Sequence, residues 1–103
     1  MKSTLSIASL VLALASATPS TAFAVDLLKG QTHYNMHCAS CHGMTGMPVL
    51  PNVPNFAKRE RLEQPDFVLL QSVKIGKSHT PPFLGILKDD EITNILQYIR
   101  TLR

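Results

Sequence analysis

The stretch that decides the fold of this chain is Cys38-Ala39-Ser40-Cys41-His42, a C-x-x-C-H pattern. This spacing is the one at which c-type haem is attached to proteins. Two thiols three residues apart on one helical turn point the same way, so they can add across the two vinyl groups on one edge of a haem. The histidine that follows is then held under the iron as its proximal ligand. The motif therefore predicts one covalent haem c, bound through Cys38 and Cys41, with His42 on the iron.

Two other chemistries use parts of this pattern. A C-x-x-C pair can form a redox-active disulfide, but that motif follows a strand and begins a helix, whereas a helical pattern precedes Cys38 here. The same pair with His42 could form half of a zinc site, which would need further ligands, and the chain has no second cysteine pair. Haem attachment is favoured over both alternatives.

The composition is that of a small globular domain. Of the 103 residues, 45% are hydrophobic and 17% are charged, which excludes a disordered chain. The net charge of +3 is scattered, and no run of Lys or Arg exceeds two, at Lys58-Arg59. Because a basic patch is missing, no nucleic-acid partner is expected. Two cysteines are also too few for the disulfide framework of a small secreted domain.

The first 24 residues have the pattern of a secretory signal peptide. Lys2 gives a basic start, residues 5–17 are an apolar run, and Ala22-Phe23-Ala24 is a small-x-small cleavage site. An uncleaved membrane anchor is the alternative, but the thirteen apolar residues are fewer than the roughly 20 that span a bilayer. We expect a signal peptide at 1–24, a mature domain at 25–103 in the periplasm, and no membrane span after cleavage.

Cleavage after residue 24 would leave 79 of the 103 residues, which is a short chain for a hydrophobic core. Domains of this size usually need a disulfide, a metal or a cofactor to be stable. The haem is therefore expected to supply the missing core.

Hydrophobic periodicity predicts three helices in the mature domain. The first spans 26–39, and its Gly30 is expected to permit a close helix–helix approach. The second begins at Pro65 and ends at Gly76. The third spans 89–102 and has three acidic residues at its N-terminus. Its apolar stripe consists of Ile92, Ile95, Leu96, Ile99 and Leu102.

Two long loops connect these helices, over 43–56 and 77–87. Glycines and prolines in both segments disfavour helix and central strand, and no segment of any length has the period-2 pattern of a strand. Long loops in a small domain usually wrap around something. The pattern predicts an all-α domain whose loops enclose the haem.

From residue 26 to 103 the chain resembles small monohaem class I c-type cytochromes of the bacterial periplasm. The resemblance rests on Gly30, Tyr34, the segment Cys38–Gly43, Pro54-Asn55-Phe56, and the segments Leu87–Ile92 and Tyr98–Leu102. It implies the all-α class I cytochrome c fold, with three main helices and long loops wrapped around one covalently bound haem. In that family the first and last helices cross beside the haem, so Gly30 and Tyr34 would meet Ile95, Tyr98 and Ile99.

One position departs from the family pattern. These cytochromes usually place a Met just before Pro-x-Phe as the distal iron ligand, whereas Thr80 precedes Pro81-Pro82-Phe83 here. His79 is a candidate distal ligand, since a neutral imidazole binds haem iron well. The alternatives are an open or water-bound site and ligation by another residue, with Met47 and Met44 the first candidates. Both methionines lie in the loop that in the family passes along the proximal side, so we expect them to pack on the haem. His33 and His37 are expected on the surface.

The favoured function is one-electron transfer in the periplasm to redox protein partners whose identity the sequence does not encode. No enzyme is expected, because the chain has no carboxylate pair in a plausible cleft and both thiols are used by the haem. The alternative is a haem-based gas-binding, sensing or accessory protein with an open or unusual distal site. A peroxidase-like enzyme is disfavoured, because the domain is too small to shape a distal catalytic site.

Overall fold

The computed structural model describes residues 8–9, 11–16, 24–77 and 80–103. Within these residues the chain has four α-helices and no strand, which confirms the all-α prediction. The helices are α1 (Leu27–His37), α2 (Ala39–His42), α3 (Asp66–Ile75) and α4 (Asp89–Ile99). None of these helices has both the length and the apolar character needed to cross a membrane.

The first predicted helix, over 26–39, is divided in two: α1 ends at His37, and a second short helix, α2, extends beyond the predicted end. Asp26 caps α1, because its side chain accepts a hydrogen bond from the backbone N–H of Lys29 at 3.0 Å. Cys38 separates α1 from α2, and the helical segment then continues to His42 rather than ending at residue 39. The C-x-x-C-H motif therefore lies at the end of one helix and along the next short one.

The other two helices agree with the predictions except at their ends. Pro65 is the N-cap of α3 rather than a residue of its first turn, and Gly76 ends the helix at a φ of +77°. Helix α4 ends at Ile99, three residues before the predicted Leu102, because residues 100 and 101 form a turn. The predicted apolar stripe is confirmed for Ile92, Ile95, Leu96 and Ile99, which are all buried. Its fifth member, Leu102, lies beyond the end of α4 and is partly buried against the core.

Helices α1 and α4 cross at Gly30, as predicted. A Cβ atom at Gly30 would overlap the backbone carbonyl of Asn94, so only glycine permits this approach. One turn further along α1, the ring of Tyr34 is fully buried and lies 5.4 Å from the ring of Tyr98, centroid to centroid. Tyr34 also belongs to the same core cluster as Ile95 and Ile99. The expected crossing is confirmed.

Arg100 ties the end of α4 to the start of α3. Its guanidinium donates to Asp66 Oδ1 from Nε at 3.1 Å and from Nη2 at 2.6 Å, and to the backbone carbonyls of Leu62 and Gln64 at 2.6 and 3.0 Å. Gln97 donates to the other carboxylate oxygen of Asp66 at 2.6 Å. These contacts fix the position of α3, which has no fully buried residue of its own.

The second loop packs against α3 through Phe83. The backbone N–H of Phe83 donates to the carbonyl of Val73 at 3.1 Å, and its side chain is buried in the core with that of Leu87. This contact places the loop beside the end of α1, where the motif begins.

Candidate functional site

The two cysteines are held by backbone hydrogen bonds that run from α1 through α2. The N–H of Cys38 donates to the carbonyl of Tyr34 at 2.8 Å, and the N–H of His42 donates to the carbonyl of Cys38 at 2.9 Å. Both thiols are free and half-buried. The motif thus has the single-turn helical geometry that the sequence predicted for it.

Burial raises the pKa of the Cys38 thiol to about 11, and the neighbouring Cys41 adds to the increase. Redox-active C-x-x-C pairs have the opposite property, because their attacking cysteine has a lowered pKa. The electrostatics of Cys38 therefore argue against the disulfide alternative.

The zinc alternative also lacks support in the described part of the chain. Across residues 24–77 and 80–103, no group of three or more His, Cys, Asp or Glu side chains is arranged to hold a metal ion. A structural zinc site needs four protein ligands, and these residues do not supply them.

The imidazole of His42 is neutral in this environment. Burial lowers its pKa, and the backbone carbonyl of Pro54 opposes that effect by favouring the protonated ring. The Nδ1 atom of His42 is buried, and among the described residues it makes no hydrogen bond of standard distance and angle. The ring of Phe56 stacks on the imidazole, with centroids 4.4 Å apart and planes 14° apart. The ring is therefore unprotonated at neutral pH and restrained on one face.

The first loop folds back over His42 immediately after the motif. At Gly43 φ is +80°, and a Cβ atom there would overlap the backbone carbonyl of Met47. The N–H of Val49 then donates to the carbonyl of Cys41 at 2.8 Å. Together with the stacking of Phe56, these contacts place the loop on the His42 side of the site. The side chains of Met44 and Met47 are both 61% exposed.

The distal candidate His79 lies outside the described residues. Its neighbour Thr80 is exposed, and its backbone pairs with that of Lys77 through hydrogen bonds of 2.6 and 3.2 Å. Ligation by His79 therefore stays a prediction.

Two histidines that were expected on the surface are half-buried, so that expectation was wrong. His33 Nε2 lies 3.0 Å from Glu91 Oε2 on α4. The ring of His37 meets that of Phe83 edge-on, with centroids 5.7 Å apart. The spacing of four residues places both on one face of α1, which is the signal that could have indicated their partial burial.

The stacking of Phe56 on His42 was also missed by the sequence analysis. The two residues are fourteen positions apart, and their contact depends on the path of the first loop. The proline before Asn55 indicates a rigid turn at this point, but it does not indicate which ring Phe56 would meet.

The residues at this site fit a covalently bound haem. Two free thiols three residues apart and a neutral imidazole are the donor set that such a group requires. The Pro54 carbonyl and the stacked ring of Phe56 hold the imidazole from the first loop.

Comparison with known proteins agrees with this assignment. The family model described as cytochrome c oxidase, cbb3-type, subunit III matches residues 25–99. Cytochrome c6 of Synechococcus sp. (strain ATCC 27167 / PCC 6312) is 35% identical over 105 residues, which cover 96% of this chain and 91% of that protein. Cytochrome c6 of Thermosynechococcus vestitus is 30% identical over 99 residues, which cover 92% of this chain and 87% of that protein.

Proposed function

The chain belongs to the cytochrome c family, and we propose that Cys38, Cys41 and His42 hold the one covalent haem c that members of this family carry. It has the all-α class I fold and is a small monohaem electron-transfer protein. When bound, the haem supplies an iron that takes up and releases one electron. The observation that carries the residue assignment is that both thiols and the neutral imidazole lie on one short helical segment.

Cys38 and Cys41 would hold the haem through thioether bonds. Each bond would join one thiol sulfur to one vinyl group, with the thiol hydrogen on the neighbouring carbon, so no oxidant would be needed. The backbone contacts of Cys38 with Tyr34 and of His42 with Cys38 hold the two sulfur atoms on one turn. The fixed spacing supports attachment to one edge of a single haem.

His42 is the proximal ligand in this proposal. A lowered pKa keeps the ring unprotonated, so a nitrogen lone pair is free to bind iron. Phe56 restrains one face of the ring, and the Pro54 carbonyl acts on it from the first loop. Groups that orient a metal-binding histidine in this way also influence the redox potential of the metal.

We propose His79 as the distal ligand. The contacts of Gly43, Val49 and Phe56 place the first loop on the His42 side, which disfavours Met44 and Met47 as distal ligands. Residue 80, where the family has its methionine, is Thr and cannot fill that role. His79 is the neighbouring side chain with a good iron-binding atom.

The proposed location is the periplasm, after removal of residues 1–24, and the proposed partners are redox proteins of that compartment. The basic, apolar and small-residue order of the first 24 residues supports export. A carrier role needs no catalytic residue of its own, and we propose that the protein is not an enzyme.

Gas binding or sensing is the second candidate function. One observation favours it, which is Thr80 at the position of the usual methionine. If the iron lacks a distal protein ligand, its sixth position is open to CO or NO.

Acid–acetone extraction and an absorption spectrum of the holoprotein test the proposal together. The haem should stay with the wild-type polypeptide, and Cys41→Ala should weaken or abolish maturation. A low-spin, six-coordinate ferric spectrum would support electron transfer, whereas a high-spin, five-coordinate one would support gas binding. Free extraction of haem from protein matured by the cytochrome c assembly machinery would refute covalent attachment.

A further inference from the structure

Tyr34 contacts the C-x-x-C-H motif at both of its ends. Its backbone carbonyl accepts the hydrogen bond from Cys38 N–H at 2.8 Å, where the motif begins. Its hydroxyl donates to the carbonyl oxygen of Gly43 at 2.7 Å, immediately after His42. The side chain is fully buried, so this hydrogen bond is shielded from water. Tyr34 therefore spans the whole segment that is assigned to the haem.

The Gly43 carbonyl is the point at which the chain turns back over His42. Gly43 N–H caps α2 on the carbonyl of Ala39 at 2.8 Å, and its φ of +80° directs the chain toward Met47. Its carbonyl also accepts a longer hydrogen bond of 3.2 Å from the N–H of Gly46. The shorter of the two bonds to this carbonyl is thus the one from Tyr34.

The Tyr34 hydroxyl is protonated at neutral pH and can therefore donate a hydrogen bond. Burial raises the pKa of Tyr34 well above its ordinary value, with smaller contributions from Cys38 and Tyr98. The ring needs no hydroxyl for its packing on Tyr98, since a phenylalanine would make the same ring contact. The hydroxyl therefore serves the contact with Gly43.

We propose that Tyr34 is a positioning residue for the axial imidazole, because its hydroxyl fixes the backbone that leaves His42 and so sets the orientation of that ring. This inference rests on the proposed role of His42. If the wild-type protein carries no covalent haem, the proposed function fails before the role of Tyr34 is tested.

The test compares Tyr34→Phe with the matched variant Tyr98→Phe in the ferric holoprotein. Each substitution removes one hydroxyl from the same pair of rings, and the Tyr98 hydroxyl forms no hydrogen bond with the described residues. Paramagnetic proton NMR reports the His42 ring orientation directly, and voltammetry reports the midpoint potential. Tyr34→Phe should shift the His42 ring signals. It should also lower the midpoint potential of the haem, because the Gly43 carbonyl loses the shorter of its two hydrogen bonds. Tyr98→Phe should leave both unchanged.

Two outcomes would overturn the proposal. One is a Tyr34→Phe protein that unfolds more easily but has His42 signals and a potential identical to those of the wild type, since this would show that the hydroxyl only stabilises the fold. The other is an equal displacement of the His42 signals in both variants, which would assign the effect to ring packing. If Tyr34→Phe matures too poorly for NMR, electron paramagnetic resonance of the small yield gives the same comparison, because the ferric g-values depend on the axial ligand.

Discussion

At the scale of single residues, burial sets the chemistry of the motif. It raises the pKa of the Cys38 thiol and lowers the pKa of the His42 imidazole, so both groups are neutral at pH 7. A neutral imidazole is the form whose nitrogen lone pair can bind iron. The environment that α1, α2 and the first loop create thus suits the proposed role of His42.

Replacing His42 tests its proposed role as the proximal iron ligand most directly. We expect His42→Ala to yield little stable holoprotein, because the iron loses its axial nitrogen and the stacking partner of Phe56 is removed. The measurement is the haem content of purified protein relative to the wild type. His33→Ala is the matched control, since it removes another half-buried histidine that lies outside the motif. A His42→Ala protein with full haem content and a wild-type spectrum would contradict the assignment.

The distal prediction concerns His79 and Thr80. Two imidazole ligands favour ferric iron more than a histidine–methionine pair does, so the wild-type potential should lie well below that of a His/Met cytochrome. His79→Ala should make the spectrum high-spin and allow CO to bind. Thr80→Met should raise the potential, because Met/His ligation raises the potential of haem iron, and should change the absorption spectrum of the ferric protein.

The opposite result for His79 is equally clear. If the wild-type ferrous protein binds CO rapidly and His79→Ala does not change its spectrum, His79 is not a ligand. That result would favour gas binding over electron transfer as the function of the protein. His37→Ala serves as the control histidine here, because His37 packs on Phe83 in the second loop without belonging to the predicted ligand set.

At the scale of the helices, the α1–α4 crossing determines where the motif lies. The approach at Gly30 brings Tyr34 against Tyr98, and Tyr34 in turn contacts the motif. The backbone N–H of Asp26 donates to Asn94 Oδ1 on α4 at 3.0 Å, and this hydrogen bond holds the start of α1 against α4. A disturbance of this crossing is therefore transmitted to the haem-binding segment.

Gly30→Ala measures the closeness of that crossing. The new methyl group would overlap the Asn94 carbonyl, and overpacking of this kind costs about 1–3 kcal/mol of the free energy of unfolding. Denaturant unfolding of the holoprotein gives the value. Gln31→Ala is the control, since Gln31 is exposed on the same helix and its replacement should change stability by less than about 0.5 kcal/mol. Equal stabilities of the two variants would contradict the predicted overlap.

Arg100→Lys tests the contact between α4 and α3. A lysine keeps the charge but cannot reproduce the guanidinium fork that reaches Asp66, Leu62 and Gln64. We therefore expect the free energy of unfolding to fall by about 1–3 kcal/mol. Thermal unfolding of the holoprotein is the measurement. Arg103→Lys at the exposed C-terminus should have no measurable effect. A wild-type melting temperature for Arg100→Lys would contradict the predicted contribution of the guanidinium fork.

At the scale of the whole molecule, the protein core is small for the loops that surround it. Among the residues that the structure describes, nine buried hydrophobic residues form the core, and the partly buried residues around it include Cys38 and Phe56 at the site. Several large apolar side chains remain exposed in the loops and on α3, among them Met47, Phe67 and Leu84. This distribution agrees with a fold that relies on its haem for part of its core.

The apoprotein should accordingly be largely unfolded. Without the haem, the 79 residues from 25 to 103 lack the apolar group around which the loops are expected to pack. The measurement is a proton–nitrogen NMR spectrum of the double variant Cys38→Ala and Cys41→Ala produced without haem attachment, compared with that of the holoprotein. Well-dispersed amide signals from the apo form would contradict the prediction.

The sequence by itself determined the features that depend on local spacing. The C-x-x-C-H motif, the apolar stripe of α4 and the glycine at the crossing could each be predicted, because each depends on residues within a few turns of one helix. The glycines and prolines of the two loops were informative for the same reason. The cofactor, the fold class and the electron-transfer function followed from these local patterns and from the family resemblance.

Only the tertiary structure decided which distant residues meet at the site. The stacking of Phe56 on His42, the hydrogen bond from Tyr34 to Gly43 and the fork of Arg100 on Asp66 join residues separated by 9 to 34 positions. No periodicity encodes such contacts, because they depend on the path of a loop or on the angle between two helices. Chain connectivity limits where these residues can go, but packing selects which of the allowed partners they find.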